Sequence, residues 1–210
     1  MRFVRSVPEK GGASPVPIRI ALMSQADAEF WHRHVQPDIV ALGRTDANWD
    51  WRRMRQWLPV VEFARGRRAP AFVVLAQAEE KAAPVGMALL SEGYSALHDG
   101  SKRSVFVWFV AAAPEETMRR LGVSGIPKLL RALIDVGVTH SHNVGYRGCT
   151  GLHAAPEGKQ DLFDRYVKIG LTPLLGIANV PGYLRFNDGR YFYLDEPDAR
   201  KWSNALNPDR

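Results

Sequence analysis

The stretch 105–134, VFVWFVAAAPEETMRRLGVSGIPKLLRALI, constrains the fold more than any other part of the chain. Residues 105–110 are β-branched or aromatic without a polar break, as expected of a strand buried on both faces, and Pro114 closes the run. Ile126, Leu129, Leu130, Leu133 and Ile134 then recur at helical spacing, which predicts a helix with one apolar stripe and Pro127 in its first turn. Between strand and helix lie Arg119, Arg120, Leu121, Gly122, Val123, Ser124 and Gly125. A helix start leaves about four backbone N–H groups without intrahelical acceptors and carries roughly half a positive charge, so an anion such as phosphate is a natural ligand there. Gly122 and Gly125 allow close approach and positive φ, Ser124 can cap, and the arginines add charge.

Further along, residues 146–154 (YRGCTGLHA) read as a strand, and residues 159–169 as a short helix with Leu162, Phe163 and Tyr166 on one face, ending at Gly170. The order strand, Arg-x-x-Gly-x-Ser-Gly, long helix, strand, short helix, Tyr-x-Lys-x-Gly-Leu resembles the Gcn5-related N-acetyltransferase (GNAT) superfamily over roughly 70–193. The resemblance implies an α/β (α+β) fold: a mixed, mostly antiparallel central sheet of about six to seven strands with helices on both faces. It also implies acetyl-CoA as acyl donor to an amine acceptor, by direct transfer in a ternary complex.

Carried onto this chain, the resemblance makes Arg119, Arg120, Leu121, Gly122, Val123, Ser124 and Gly125 the pyrophosphate loop. Backbone N–H groups around Val110, Ala111 and Ala112, often at a bulge in the family, become the holders of the developing oxyanion. Tyr166 becomes the general acid for the leaving thiolate. Lys159 stands where many members have an asparagine that contacts the pantetheine arm, and it joins the cofactor-binding expectations by position only. Ser124 replaces the usual Gly or Ala, and Thr117 and Met118 lengthen the approach to the loop. No acid interrupts 105–110, so the base that some members carry there is not assigned; Glu92, His98 and Asp99, after the third strand, could reach an acceptor site, with Glu92 entered as the candidate base and Glu115 and Glu116 read as polar turn residues.

A length of 210 residues fits one full-sized core, expected over 17–195, with a flexible leader at 1–16 and a polar tail at 196–210. No run approaches about 20 apolar residues, and the first residues lack the apolar core of a signal peptide, so a cytoplasmic protein without membrane attachment is expected. The single cysteine, Cys149, rules out an internal disulfide. His32/His34 and His140/His142 point to different sides of their helices at i, i+2, and no acid or cysteine spacing completes a metal site. A net charge of +6 suits a polyanionic cofactor; the arginines at 52–55 and 65–68 lack the aromatic alternation of a single-strand binder, which argues against nucleic acid. A homodimer is compatible with the family's habit.

Overall fold

A computed structural model describes residues 1–12, 14–78, 81–174 and 188–210. The strands are β1 (Ser6–Pro8), β2 (Pro15–Leu22), β3 (Ala71–Gln77), β4 (Ala82–Ala96), β5 (Asp99–Ala112), β6 (Thr150–His153), β7 (Thr172–Pro173) and β8 (Tyr191–Leu194). They form one sheet in the order β1-β2-β3-β4-β5-β6-β8-β7, antiparallel everywhere except between β5 and β6. The helices are α1 (Gln25–His34), α2 (Gln36–Ala41), α3 (Trp51–Arg65), α4 (Glu115–Arg120), α5 (Leu129–Asn143), α6 (Lys159–Lys168) and α7 (Glu196–Ala205). This is the mixed, mostly antiparallel architecture expected, with eight strands among the described residues rather than six or seven.

The faces follow from strand alternation. A Cβ on Gly137 would meet Val107, Thr150 and Leu90, so α5 lies flat on the face that these residues share. Phe192, the cross-strand partner of Leu152, receives the rings of Phe163 and Tyr166 at 4.8 and 5.4 Å, which puts α6 on that same face. On the other face Trp49, just ahead of α3, sets its ring 4.8 Å from Phe109. α6 ends as the sequence suggests: Gly170 has φ of 101°, its N–H donates to Val167, and the Leu171 N–H donates to Tyr166, the pattern of a Schellman motif.

Several expectations need correction. Residues 92–103, expected as a loop, form the far half of a long β4–β5 hairpin. The strand expected at 146–154 shortens to β6, because Gly145, Arg147 and Gly148 all take positive φ and turn the chain before Thr150. Residues 115–120 are helical: Glu115 and Glu116 open α4 and Arg119 and Arg120 close it, in the sense the helix dipole favours. α5 begins at Leu129, so Pro127 lies outside it, bridged to Glu9. The leader is docked: β1 pairs with β2, and Val4 and Val7 are buried. The polar tail is largely α7, capped by Asp195 and burying Trp202. Of the strand expected at 172–178, residues 175–178 lie outside the described residues, as do parts of the turns expected at 79–84 and around residues 181, 182 and 187.

Candidate functional site

β5 and β6 run side by side only from Val105 to Val107 and Thr150 to Leu152. Beyond that β5 stays with β4 as far as Ala112, while β6 ends at His153, so the two strands part. The gap opens a cleft of about 840 Å³, walled by β5, the start of α5, the end of β6 and one side of α6. The register of β4 and β5 shifts between Leu89 and Leu90, which leaves Trp108 as an extra residue on β5 beside the cleft. Ala113 N–H donates to Val85. By alternation the peptide groups of Ala112 and Val110 turn the other way, toward the open side. The Ala112 carbonyl accepts from Arg44 Nη1 at 2.8 Å; Val110, also on the cleft wall, has no such partner among the described residues.

Tyr166 is buried yet lines the cleft, and its hydroxyl has no hydrogen-bond partner among the described residues. Burial pushes its phenol up to about 12, so near neutrality the hydroxyl is a donor. The first turn of α5, also on the cleft wall, has no side-chain cap, so the N–H groups of Leu129, Leu130 and Arg131 lack intrahelical partners. Lys128 and Arg165 line the cleft, and neither forms an ion pair among the described residues. Lys10 and Arg44 also reach it, already paired with Glu115 and Asp46. The hydrogen bond from Lys10, with Arg119 adding to it, holds the Glu115 carboxyl below its usual range.

The residues of the expected anion loop are arranged differently. The N–H groups of Leu121, Gly122, Val123 and Ser124 donate to the carbonyls of Thr117, Arg119, Met118 and Gln77, so each is already satisfied within the chain. Arg119 pairs with Glu116 at 3.0 Å and Glu115 at 3.6 Å; Arg120 reaches Asp38 and the His34 carbonyl. Gly125 is covered by the N-terminal segment, a Cβ there lying 2.8 Å from Glu9 Oε1. That segment is stitched along the loop by Lys10 N–H to Ile126 and by Lys128 N–H to Pro8. Lys159 is exposed and does not line the cleft; its N–H donates to the Pro156 carbonyl and its own carbonyl accepts from Arg190. Glu92 is buried against His140 at 2.8 Å, on the face covered by α5 and outside the cleft. Val110 and Ala112 line the cleft, whereas Ala111 is buried opposite Met87.

Sequence reasoning missed Lys10, Lys128, Arg165 and His153 as cleft residues. Lys128 and Arg165 did carry a signal, a cation at a helix start and another one residue before Tyr166. Among the described residues no group of three or more His, Cys, Asp or Glu side chains could hold a metal ion, and no helix is long and apolar enough to cross a membrane.

Among solved structures the chain is similar to a GNAT-family acetyltransferase from Staphylococcus aureus Mu50, with a TM-score of 0.51 and 12% identity over 85% of this chain and 99% of that one. The fold is that of the GNAT acetyltransferases. A spermidine N-acetyltransferase from Vibrio cholerae, solved with CoA and spermine, matches at a TM-score of 0.50 and 14% identity over 87% of this chain and 98% of its own. A chimera of spermidine N-acetyltransferase from Vibrio cholerae matches at 0.51 and 15% over 89% and 98%. No protein-family model matches the sequence, and no curated protein matches it. The GNAT likeness is therefore one of fold.

Proposed function

We propose that the protein is an acetyl-CoA-dependent N-acetyltransferase acting on an amine by direct transfer. The observation that carries the reading is the cleft between β5 and β6, lined by Lys128, Arg165, the uncapped start of α5 and Tyr166. A thioester on a long polar arm with a diphosphate at its far end has the chemistry such a cleft would accept, and CoA is bound in a solved structure of the same fold.

In this reading the diphosphate is held by Lys128, Arg165 and the N–H groups of Leu129, Leu130 and Arg131, not by the amides of Leu121 to Ser124, which are engaged. The apolar wall of β5 takes the pantetheine arm. Bound acetyl-CoA supplies the acyl group as a thioester. The Val110 N–H is aimed toward the open side, where charge develops on the carbonyl oxygen. Tyr166, held protonated by burial, gives its proton to the departing sulfur.

The test is a calorimetric titration of acetyl-CoA into the wild type and into a Lys128→Glu/Arg165→Glu double variant. Binding by the wild type, weakened at least about 100-fold in the double variant, is the expected result, since two charge reversals beside a diphosphate each act on a strong Coulomb term. A folded wild type that takes up no acetyl-CoA overturns the reading.

A further inference from the structure

The cleft contains an acid for the leaving group, but Glu92, the base the sequence suggested, is turned away against His140. We propose that His153, oriented by Asp188, is the general base of this site. The proposal rests on the acetyltransferase reading above and adds to it the group that deprotonates the acceptor.

Three observations carry it. His153 ends β6 where the strands part, and it lines the cleft. Its Nε2 lies 2.9 Å from Asp188 Oδ2. An ionised carboxylate only accepts, so Nε2 carries the proton and Nδ1 keeps its lone pair; Nδ1 has no hydrogen-bond partner among the described residues. Asp188 is itself fixed: its Oδ1 accepts the Arg190 N–H at 3.0 Å. The Arg190 guanidinium then ties to the carbonyls of Ala154, Ala155 and Lys159 at 2.9, 3.1 and 2.7 Å, joining the end of β6, the approach to β8 and the start of α6. An imidazole backed by a carboxylate that is backed in turn by a built network is held in one tautomer and one direction.

The third observation is where acid and base stand relative to each other. Tyr166 packs on Phe192, the cross-strand partner of Leu152, and so approaches from the face that carries α5 and α6. His153 is the next residue of β6 and therefore points to the opposite face, where its ring meets Tyr191 at 4.5 Å. Acid and base flank the parting strands from opposite sides. A thioester lying between β5 and β6 would have its sulfur served from one face and its carbonyl carbon open to attack from the other.

The remaining candidates for the base are weaker. Both Asp46 oxygens are taken by Arg44, at 2.9 and 2.7 Å. Glu115 is held down by Lys10 and Arg119. Asp161 lies exposed in the first turn of α6 and makes no hydrogen bond to His153. Asp188, backed by Arg190, and Tyr191 contact His153 from the β8 side, and Asp161, Arg165 and Tyr166 of α6 line the same cleft. Lys128 and Glu115 face the cleft from α5 and α4.

The step balances. A neutral amine attacks the thioester carbon while one of its protons passes to His153 Nδ1; the C–S bond breaks, and the thiolate takes the Tyr166 proton. The amide and CoA leave, and the proton on His153 returns through solvent to the tyrosinate.

The experiment measures CoA thiol release from acetyl-CoA between pH 6 and 9.5 with spermidine, a lysine-containing peptide, a peptide with a free N-terminal serine, and water alone as probes. Wild type, His153→Gln, Asp188→Asn and Asp161→Asn are compared, each also titrated with acetyl-CoA. We expect His153→Gln to release CoA about 10²–10³-fold more slowly and to lose the acid limb of the rate profile, with acetyl-CoA affinity kept within about twofold. Asp188→Asn should lose about tenfold, as a positioning residue, and Asp161→Asn nothing. A His153→Gln rate and profile like the wild type overturns the dyad, as does wild type that binds acetyl-CoA but releases CoA no faster than His153→Gln with any probe. Wild type that binds no acetyl-CoA at all overturns the acetyltransferase reading, and the dyad with it.

Discussion

The first turn and the middle of α5 both meet charge, and they meet it in opposite ways. In the middle, Asp135 is fully buried, and its carboxylate is paired from within the chain. Arg210 Nη2 donates to it at 2.7 Å and Thr139 at 3.1 Å, and Arg210 also reaches the Arg2 carbonyl. At the first turn the helix has no cap, and Lys128 has no counter-ion among the described residues. One helix thus carries a closed ion pair and an open cation site about two turns apart. The difference teaches that a charged helix position is read by what completes it: what the chain completes is structure, and what it leaves open is available to a ligand.

The comparison breaks most visibly at the closed end. Arg210→Met leaves Asp135 buried without its partner, which costs about 3–5 kcal/mol for a buried pair broken on one side. Burial already raises the Asp135 carboxyl and Arg210 opposes that rise, so the variant raises it further. A carboxyl raised in the folded state gives stability that is full below its unfolded range and lost as pH climbs through the folded value. The loss should therefore be smallest in acid and grow toward neutrality in urea unfolding followed at several pH values. A loss that does not vary with pH would mean that Asp135 is not the group left behind.

The open end is tested by chemistry and by charge. Tyr166→Phe should lower kcat about 100-fold while the acetyl-CoA dissociation constant holds, because the ring stays on Phe192 and only the donor goes. An unchanged kcat removes Tyr166 from the reaction. Lys128→Glu should weaken acetyl-CoA binding about 30-fold with little change in the urea midpoint, since the Lys128 side chain is exposed and the backbone N–H that bonds Pro8 is kept. Equal losses of stability in Lys128→Glu and Arg210→Met would erase the distinction between the two ends.

How much of this was legible in the sequence follows the same line. The 105–110 part of β5, α6 and the Gly170 cap were legible, because apolar period and a glycine needing positive φ are local properties. α7 carried its signal too, in Asp195 followed by Pro197, but a polar composition hid a helix that buries only Ala199, Trp202 and Ser203. The anion loop was not legible. Gly122 and Gly125 do take positive φ, as the motif asks. Yet whether the amides between them face a ligand depends on Gln77 from β3 and on Glu9 from the N-terminal segment, both distant in sequence. The cleft-facing role of His153 depends likewise on Asp188, 35 residues away. Glu92 was misread for the same reason: its partner His140 comes from the last turns of α5, 48 residues on.

The smallest expected effect separates the two phosphate sites that the chain offers. Ser124 is exposed, and its backbone N–H is spent on the Gln77 carbonyl, so Ser124→Glu adds a negative charge to the loop without disturbing a buried contact. If the diphosphate lies at Lys128 to Arg131, that charge acts only through solvent, and acetyl-CoA affinity should fall less than about threefold at 0.15 M salt, where surface charges are screened over roughly 8 Å. If the diphosphate instead lies on the motif residues themselves, Ser124→Glu meets it directly and should weaken binding at least as much as Lys128→Glu does. The two variants titrated side by side therefore decide between the helix start and the loop, and a larger loss in Ser124→Glu would return the anion site to Arg119 through Gly125.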